Sequence, residues 1–284
     1  IILLAGFAPY WLVGAVLLTV WSGTAYGAYF YFVKHLQLWD ASWIILVTTI
    51  TGFHAVFNRF VKEFTLKQQI KKQFEHYLAP AMVKKLQKDP SLLRLGGETR
   101  TMTFMFSDIR GFTPISEKYK GNPEGLTKLI NRFLTRMTDI IIKNGGTIDK
   151  FMGDCIMAFW NAPIDDGQHE EHAVQAALEM QEELKLLNAE LTAEGLPNIN
   201  IGIGINTGEA LVGNMGSDQR FDYSVIGDAV NLASRLESSS KTLGKTLVIG
   251  EDTVKTAKLN YNFDYVDEIT VKGKTEAIKV YTIS

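Results

Sequence analysis

The chain has 284 residues and a formal net charge of -2, from 29 basic and 31 acidic side chains. That length allows one catalytic domain plus additional segments, and the near-neutral charge leaves no electrostatic footprint for nucleic acid, so no nucleic-acid partner is expected. Cys155 is the only cysteine, which excludes an intrachain disulfide and indicates a reducing compartment. We expect Cys155 to be a small packed residue.

Hydrophobic residues are concentrated at the start of the chain. No charged residue occurs over residues 1–33, and a second apolar run covers residues 43–57. A helical span needs about 20 apolar residues, and Pro9 separates the tail of one predicted span (1–7) from a full span (11–33). Residues 43–57 would form a short final span. Aromatic residues flank these runs as they do at membrane interfaces. The alternative is a buried helical hairpin of a soluble protein.

These runs predict a transmembrane anchor of two to three spans over residues 1–58. The chain begins without Met or a charged leader, which predicts that upstream sequence is missing. Beyond the last span it turns basic, with Arg59, Lys62 and Lys67 leading the run. Because positive residues beside a span favour the cytoplasmic side, we expect a multi-pass protein of the inner or plasma membrane with everything after Arg59 in the cytoplasm.

The segment after the anchor has a helical pattern of apolar residues. We predict a stalk helix over residues 64–88, interrupted at Pro80, within a helical linker over residues 59–96. Two interpretations stay open. One is a solvated linker, and the other is a signal-carrying connection that pairs with a second copy.

The rest of the chain, residues 97–284, is predicted to be the catalytic domain, with strands and helices in the order βαββαβ and additional strands at the end. That order is typical of a ferredoxin-like α+β fold. The predicted elements are a strand at 101–106, a helix at 123–144, a hairpin at 147–160, a helix at 166–194, strands at 200–206 and 209–214, a helix at 229–238, and strands at 246–249, 265–271 and 277–283.

Two acidic residues lie where predicted strands end. Asp108 follows the first strand and Asp154 lies at the turn of the hairpin. Two carboxylates so placed are suited to divalent cations that hold a triphosphate. Gly111 provides a turn directly after Asp108, so the amides of residues 110–113 are expected to face a phosphate as a nest.

Two other motifs favour structural explanations. The glycines of Ile201 to Gly208 do not fit the dinucleotide pattern GxGxxG, because its third glycine falls at Thr207. Close packing of a strand explains them better. The motif His169-Glu-Glu-His172 is one residue short of HExxH, and a helix start enriched in acids explains it better.

A further candidate lies on the helix over residues 229–238. Asn231 and Arg235 are four residues apart and therefore share one helix face. An amide and a guanidinium on one face can together bind a sugar and a phosphate.

Three segments, Phe106-Ser-Asp-Ile-Arg-Gly-Phe-Thr113, Lys150-Phe-Met-Gly-Asp154 and Tyr223 to Arg235, resemble the motifs of class III nucleotidyl cyclases, and Val271-Lys-Gly-Lys274 also matches. The resemblance covers residues 97–284. The upstream stretch resembles the anchor and connecting helix of bacterial, receptor-type adenylate cyclases. The resemblance therefore implies an adenylate cyclase that converts ATP into cyclic AMP and pyrophosphate, as the output domain of a membrane receptor.

The resemblance also implies the role of each site residue. Asp108, Asp154 and the carbonyl of Ile109 would bind two divalent cations, Mg²⁺ or Mn²⁺. Asn231 would orient the ribose and Arg235 would stabilise the transition state. The remaining substrate-binding residues would be Lys150 and Ser224 for the purine, Gly111, Phe112, Thr113 and Arg220 for the phosphates, and Lys272 for a phosphate, with Lys274 close enough to compete for that last assignment.

Lys150 indicates ATP as the substrate. A Lys can donate to adenine N1, which is an acceptor, whereas guanine carries a proton there and suits a carboxylate. At Ser224 many adenylate cyclases carry Asp and one bacterial subclass carries Thr, whose hydroxyl Ser retains. That hydroxyl can accept from the adenine amino group but can also donate. A guanylate cyclase therefore stays open as an alternative.

In this family the active site is built across a head-to-tail dimer, with the metal ligands from one chain and the purine, ribose and transition-state residues from the other. This chain carries both sets, so the resemblance implies a homodimer with two equivalent sites. The alternative from another functional class is a catalytically inactive, nucleotide-sensing dimerisation domain.

Overall fold

The computed structural model describes residues 8–75, 96–217, 219–257, 261–270 and 277–283, with backbone alone for residues 70–75 and Arg220. The chain divides into two compact units, residues 1–77 and 78–284.

The first unit is a pair of helices, α1 (Tyr10–His35) and α2 (Ser42–Glu75). They pack where Leu17 meets Gly52, and the indole of Trp21 donates to the hydroxyl of Thr48 at 3.1 Å. Among the described residues, two helical stretches are long and apolar enough to cross a membrane, Tyr10–His35 and Ser42–Gln69.

The second of these stretches extends beyond its predicted end. We expected a span to end at Phe57 and a separate stalk helix to begin at residue 64, but α2 is continuous to Glu75. No Pro or Gly occurs between Phe57 and Glu75 to interrupt its backbone hydrogen bonds. The predicted span tail (1–7) and the rest of the predicted stalk lie outside the described residues.

The described part of the second unit starts with a long strand and continues with helices and strands. Its elements are β1 (Gly96–Ile109), α3 (Phe112–Lys118), α4 (Pro123–Lys143), β2 (Thr147–Met152), β3 (Cys155–Trp160), α5 (His169–Ala193), β4 (Ile201–Ser217), β5 (Arg220–Ile226), α6 (Asp228–Thr242), β6 (Leu247–Gly250), α7 (Glu251–Thr256), β7 (Phe263–Ile269) and β8 (Ile278–Ile283).

The described strands form one sheet in the order β2-β3-β1-β4-β6-β8-β7, with β5 paired to β4. β1 lies between β3 and β4 and is antiparallel to both. The order β2-β3-β1-β4 with α4 and α5 as the crossovers is the ferredoxin-like βαββαβ arrangement. The predicted α+β fold with additional strands is therefore confirmed.

Residues of β1 alternate between the two faces of the sheet, because successive side chains of a strand point in opposite directions. Met105 packs with α4 and α5 in one buried cluster. Phe104 and Phe106 pack with α6 in another. Apolar residues at helical spacing form the buried face of each crossover helix: α4 buries Leu129, Phe133, Met137 and Ile141, and α5 buries Ala173, Ala177, Met180, Leu184, Leu187 and Leu191.

The region after residue 200 differs from the prediction. The two strands predicted at 200–206 and 209–214 are one strand, β4, because β1 pairs with it without interruption from Ile201 to Asn214. Strand β5 and helix α7 in this region were not predicted, and neither was helix α3 earlier in the chain. Strand β5 reverses directly from β4 and pairs with its second half.

The glycines of β4 serve close packing, as predicted. A Cβ on Gly204 would overlap the backbone nitrogen of Glu237 and the carbonyl oxygen of Ala233 in α6. Gly204→Ala is therefore expected to lower the free energy of unfolding by about 2 kcal/mol, because α6 must move away from the sheet. Gly121→Ala is the matched control, since a Cβ there meets nothing within 4 Å. Thermal melts of the two variants check this, and equal melting temperatures would contradict the packing argument.

Candidate active site

The two candidate metal ligands come together at one end of the sheet. Asp108 is the penultimate residue of β1, and Asp154 lies in the turn between β2 and β3. Gly153 makes that turn with a φ of 70°, a left-handed conformation that glycine adopts without steric cost. The register pairs Ser107 with Ile156, which brings the hairpin turn beside Asp108.

The carboxyl group of Asp108 lies in an unfavourable electrostatic environment. Burial raises its pKa to about 6, and the charge of Asp154 and a hydrogen bond with it contribute further. Among the described residues, no Lys or Arg forms an ion pair with either acid. Two adjacent carboxylates without a basic partner are a destabilising arrangement that a bound cation relieves.

The donor set fits hard divalent cations. Oδ2 of Asp154 is buried and has no hydrogen-bond partner. The described residues contain no group of three or more His, Cys, Asp or Glu side chains that could hold a metal ion. A cation beside two carboxylates can also take backbone, water and phosphate oxygens as ligands. Mg²⁺ is bound in this way, through one or two carboxylates plus substrate phosphates. The carbonyl of Ile109, the last residue of β1, is the adjacent backbone candidate.

The loop after Asp108 offers fewer free backbone amides to a phosphate than the predicted nest of residues 110–113. The amide of Arg110 donates to the carbonyl of Asn200 at 2.7 Å and is therefore not available to a phosphate. Gly111 has a left-handed φ of 68°, and α3 begins at Phe112. First-turn amides have no acceptor within their own helix, so the candidate phosphate contacts reduce to the amides of Gly111, Phe112 and Thr113.

Lys150 and Ser224 are brought together through a residue that sequence reasoning missed. Lys150 lies on β2 and Ser224 on β5. The hydroxyl of Ser224 donates to Oδ2 of Asp149 at 2.7 Å. Nζ of Lys150 lies 3.2 Å from Oδ1 of the same carboxylate. The two predicted purine-binding side chains therefore share one buried partner.

The predicted ribose and transition-state residues lie on α6, on one face of the helix. Asn231 is exposed and Arg235 is half-buried. The hydroxyl of Ser239 donates to the backbone carbonyl of Arg235 at 2.8 Å. Within the described part of the chain, neither the side chain of Asn231 nor that of Arg235 forms a hydrogen bond or an ion pair. Both side chains are therefore free to meet a ligand.

Three predicted contacts are not described. Lys272 and its competitor Lys274 lie outside the described residues. Arg220 is the first residue of β5, and its side chain is not described.

A third carboxyl group, that of Glu237 on α6, lies near the acidic pair and was not predicted. Its Oε1 lies against Gly202, the β4 residue that pairs with Asp108. Burial raises the pKa of Glu237 to about 7, and the charge of Asp108 adds to that effect. Its position two residues after Arg235 placed it on another helix face, so the motif did not reveal it.

Two other residues that the sequence singled out, Cys155 and His169, have contacts that fit a packing role. Cys155 is half-buried against the second apolar cluster, as predicted, and burial raises the pKa of its thiol to about 12. His169 is buried at the start of α5, and its Nδ1 lies 2.8 Å from the hydroxyl of Thr103.

Comparisons with known proteins identify the family of this chain. The model of the adenylate and guanylate cyclase catalytic domain matches residues 97–284. Adenylate cyclase 1 of Rhizobium meliloti (strain 1021) is 36% identical over 182 residues, which are 64% of this chain but only 27% of that protein's length.

Two solved structures are also similar. The adenylyl cyclase CyaB from P. aeruginosa has a TM-score of 0.62 at 39% identity, over 67% of this chain and 96% of that chain. The guanylyl cyclase Cya2 has a TM-score of 0.61 at 37% identity, over 66% of this chain and 94% of that chain. Similarity of fold therefore does not discriminate between the two purines.

Proposed function

Because the chain belongs to the adenylate and guanylate cyclase catalytic domain family, we propose that it converts ATP into 3′,5′-cyclic AMP and pyrophosphate. The observation that carries the proposal is the pair of adjacent carboxylates of Asp108 and Asp154, one of them with a buried oxygen that has no partner. Lys150 favours ATP over GTP as the substrate, because its ammonium donates where adenine accepts.

The chain's own residues account for binding and for charge stabilisation. Asp108, Asp154 and the carbonyl of Ile109 would hold two divalent cations, Mg²⁺ or Mn²⁺, which when bound lower the pKa of the ribose 3′-hydroxyl and neutralise the leaving pyrophosphate. Asn231 hydrogen-bonds the ribose and fixes its orientation. Arg235 places positive charge where the α-phosphate becomes more negative, which lowers the barrier.

The phosphates are bound by a second group of residues. The amides of Gly111, Phe112 and Thr113 bind phosphate oxygens at the start of α3. Arg220 and Lys272 supply positive charge to the phosphates.

The site is completed by a second copy of the chain. In the proposed head-to-tail homodimer, Asp108 and Asp154 of one chain face Lys150, Ser224, Asn231 and Arg235 of the other. The free side chains of Asn231 and Arg235 support this, since no interaction among the described residues joins them to the acids of their own chain. A monomer would be inactive.

The proposed location of this activity is a membrane. We propose that α1 and α2 span the inner or plasma membrane as part of a multi-pass protein, with the catalytic domain in the cytoplasm as the output of a receptor. The two apolar helical stretches and the basic residues that begin at Arg59 support this arrangement.

The direct test is nucleotide turnover by the full chain in membranes of a host without cyclases. We expect cyclic AMP from ATP with Mg²⁺ or Mn²⁺, and little cyclic GMP from GTP. Cyclic GMP as the main product would establish the guanylate cyclase alternative. Nucleotide binding without either product would establish the inactive, nucleotide-sensing alternative.

Lys150→Glu is expected to reverse part of the purine preference. Glutamate accepts where lysine donates, so kcat/KM for ATP should fall about a hundredfold while GTP is used relatively better. Lys128→Glu makes the same change of charge at an exposed position on α4. This control should leave the ratio of kcat/KM for ATP to that for GTP unchanged. Kinetics with both nucleotides measure the effect, and an unaltered ratio in Lys150→Glu would remove Lys150 from the purine pocket.

A further inference from the structure

Asp149 lies at the centre of the candidate purine pocket, although neither the motifs nor the implied chemistry assigns it a role. Its side chain has no exposed surface, whereas that of Lys150 is 45% exposed. One carboxylate oxygen accepts from the hydroxyl of Ser224 at 2.7 Å, and the other faces the ammonium of Lys150 at 3.2 Å. A buried carboxylate is costly unless it is paired, and the partners of Asp149 are the two predicted purine-reading side chains and the backbone amide of Val225.

The hydrogen bond from Ser224 determines what that hydroxyl can offer to a ligand. A serine hydroxyl has one proton and two lone pairs. An ionised carboxylate only accepts, so the proton of Ser224 is directed to Asp149 and the lone pairs remain. Ser224 therefore presents an acceptor, which resolves the ambiguity that the sequence left at this position.

The charge of Lys150 stabilises the ionised form of Asp149. Burial raises the pKa of Asp149, but the hydrogen bond from Ser224 and the charge of Lys150 oppose that rise. Lys150 pairs with Oδ1 of Asp149 at 3.2 Å through a single contact, and an ammonium has three N–H donors. The ammonium consequently keeps donors available for a ligand.

We propose that Asp149 is a positioning residue for purine selection, which fixes Ser224 as an acceptor and holds Lys150 as a donor. Adenine presents the complementary edge, with an acceptor at N1 and a donor amino group at C6. Guanine presents a donor at N1 and an acceptor at O6, so it meets a mismatch at both positions. This inference rests on the proposed function and extends it to the residue that sets the hydrogen-bond polarity of the pocket.

Asp149→Asn in the full chain tests the inference, because the amide has the same shape but can donate to Ser224 and turn its proton toward the purine. We expect the ratio of kcat/KM for ATP to that for GTP to fall about tenfold, with the loss on ATP and not on GTP. A merely structural defect would lower both. Asp139→Asn, an exposed substitution of the same kind on α4, should leave the ratio unchanged.

A second variant restores the acceptor without Asp149. In Asp149→Asn/Ser224→Asp, the new carboxylate accepts from adenine and also accepts an amide proton from the new asparagine. It should regain the wild-type preference for ATP. An unchanged ratio in the single variant, or no recovery in the double variant, would overturn the inference.

If the single variant turns over neither nucleotide, the dissociation constants of ATP and GTP are measured with Ca²⁺, and the preference for binding ATP over GTP should fall relative to wild type. If it binds neither, the double variant decides: wild-type preference supports the inference, and loss of binding overturns it. A wild-type chain that makes no cyclic AMP refutes the proposed function and not the inference about Asp149.

Discussion

Co-expressed Asp108→Ala and Arg235→Ala chains are expected to regain about a quarter of the wild-type cyclic AMP production, although each variant alone is inactive. In the proposed dimer, one site of the mixed pair takes Asp108 from the Arg235→Ala chain and Arg235 from the Asp108→Ala chain, so that site is intact. Random pairing makes half of the dimers mixed, and half of their sites work. Cyclic AMP formed per total chain is the measurement.

The matched control pairs two defects from the same half of the site. Asp108→Ala co-expressed with Asp154→Ala leaves both sites of every mixed dimer without one of the two acids, so no activity should return. Equal recovery in the two pairings, or no recovery in either, would contradict a site shared between chains. Equal expression of the two chains is verified with different tags.

The parts of the fold that sequence predicted are those determined by local pattern. The apolar stripe from Leu129 to Ile141 recurs at helical spacing, and the structure buries it along α4. Gly153 permits the left-handed turn that a hairpin needs between β2 and β3. In both cases the information lies within a few residues of the element it specifies.

The parts that sequence missed depend on partners far along the chain. Thr207-Gly208 resembles a break between strands, yet it continues β4 because β1 supplies hydrogen-bond partners along the whole length. The role inferred for Asp149 also depends on a distant partner, because Ser224 reaches this residue of the β2–β3 hairpin only through β5. The acidic pair could be predicted from the sequence because each acid adjoins a turn signal, whereas the polarity of the proposed purine pocket depends on contacts between strands.

Asp108→Asn is expected to abolish activity and at the same time to stabilise the metal-free fold. Removing one charge from the acidic pair should lower kcat/KM by about a thousandfold, since several kcal/mol of charge stabilisation depend on the bound cations. The same change removes the repulsion between adjacent buried carboxylates. At pH 7.5 with a chelator, the variant should therefore melt a few degrees above wild type.

The stability gained by Asp108→Asn should depend on pH, because the pKa of Asp108 differs between the folded and unfolded states. The pKa of Asp108 is raised from its ordinary value of 3.8 to about 6 in the folded chain, so the folded state binds this proton more tightly than the unfolded state. The ionised side chain of Asp108 therefore lowers the free energy of unfolding by its full amount above about pH 6. That destabilisation diminishes as the pH falls towards 3.8. The advantage of Asp108→Asn should shrink over the same interval.

Adding Mn²⁺ should invert the order of the melting temperatures, because a ligand that binds only the folded state stabilises it and wild type retains both acids. Asp139→Asn serves as the exposed control and should shift neither melt. A variant that melts at or below wild type in chelator at pH 7.5 would show that the two carboxylates do not oppose each other in the fold. That outcome would also remove the electrostatic argument for a cation at this end of the sheet.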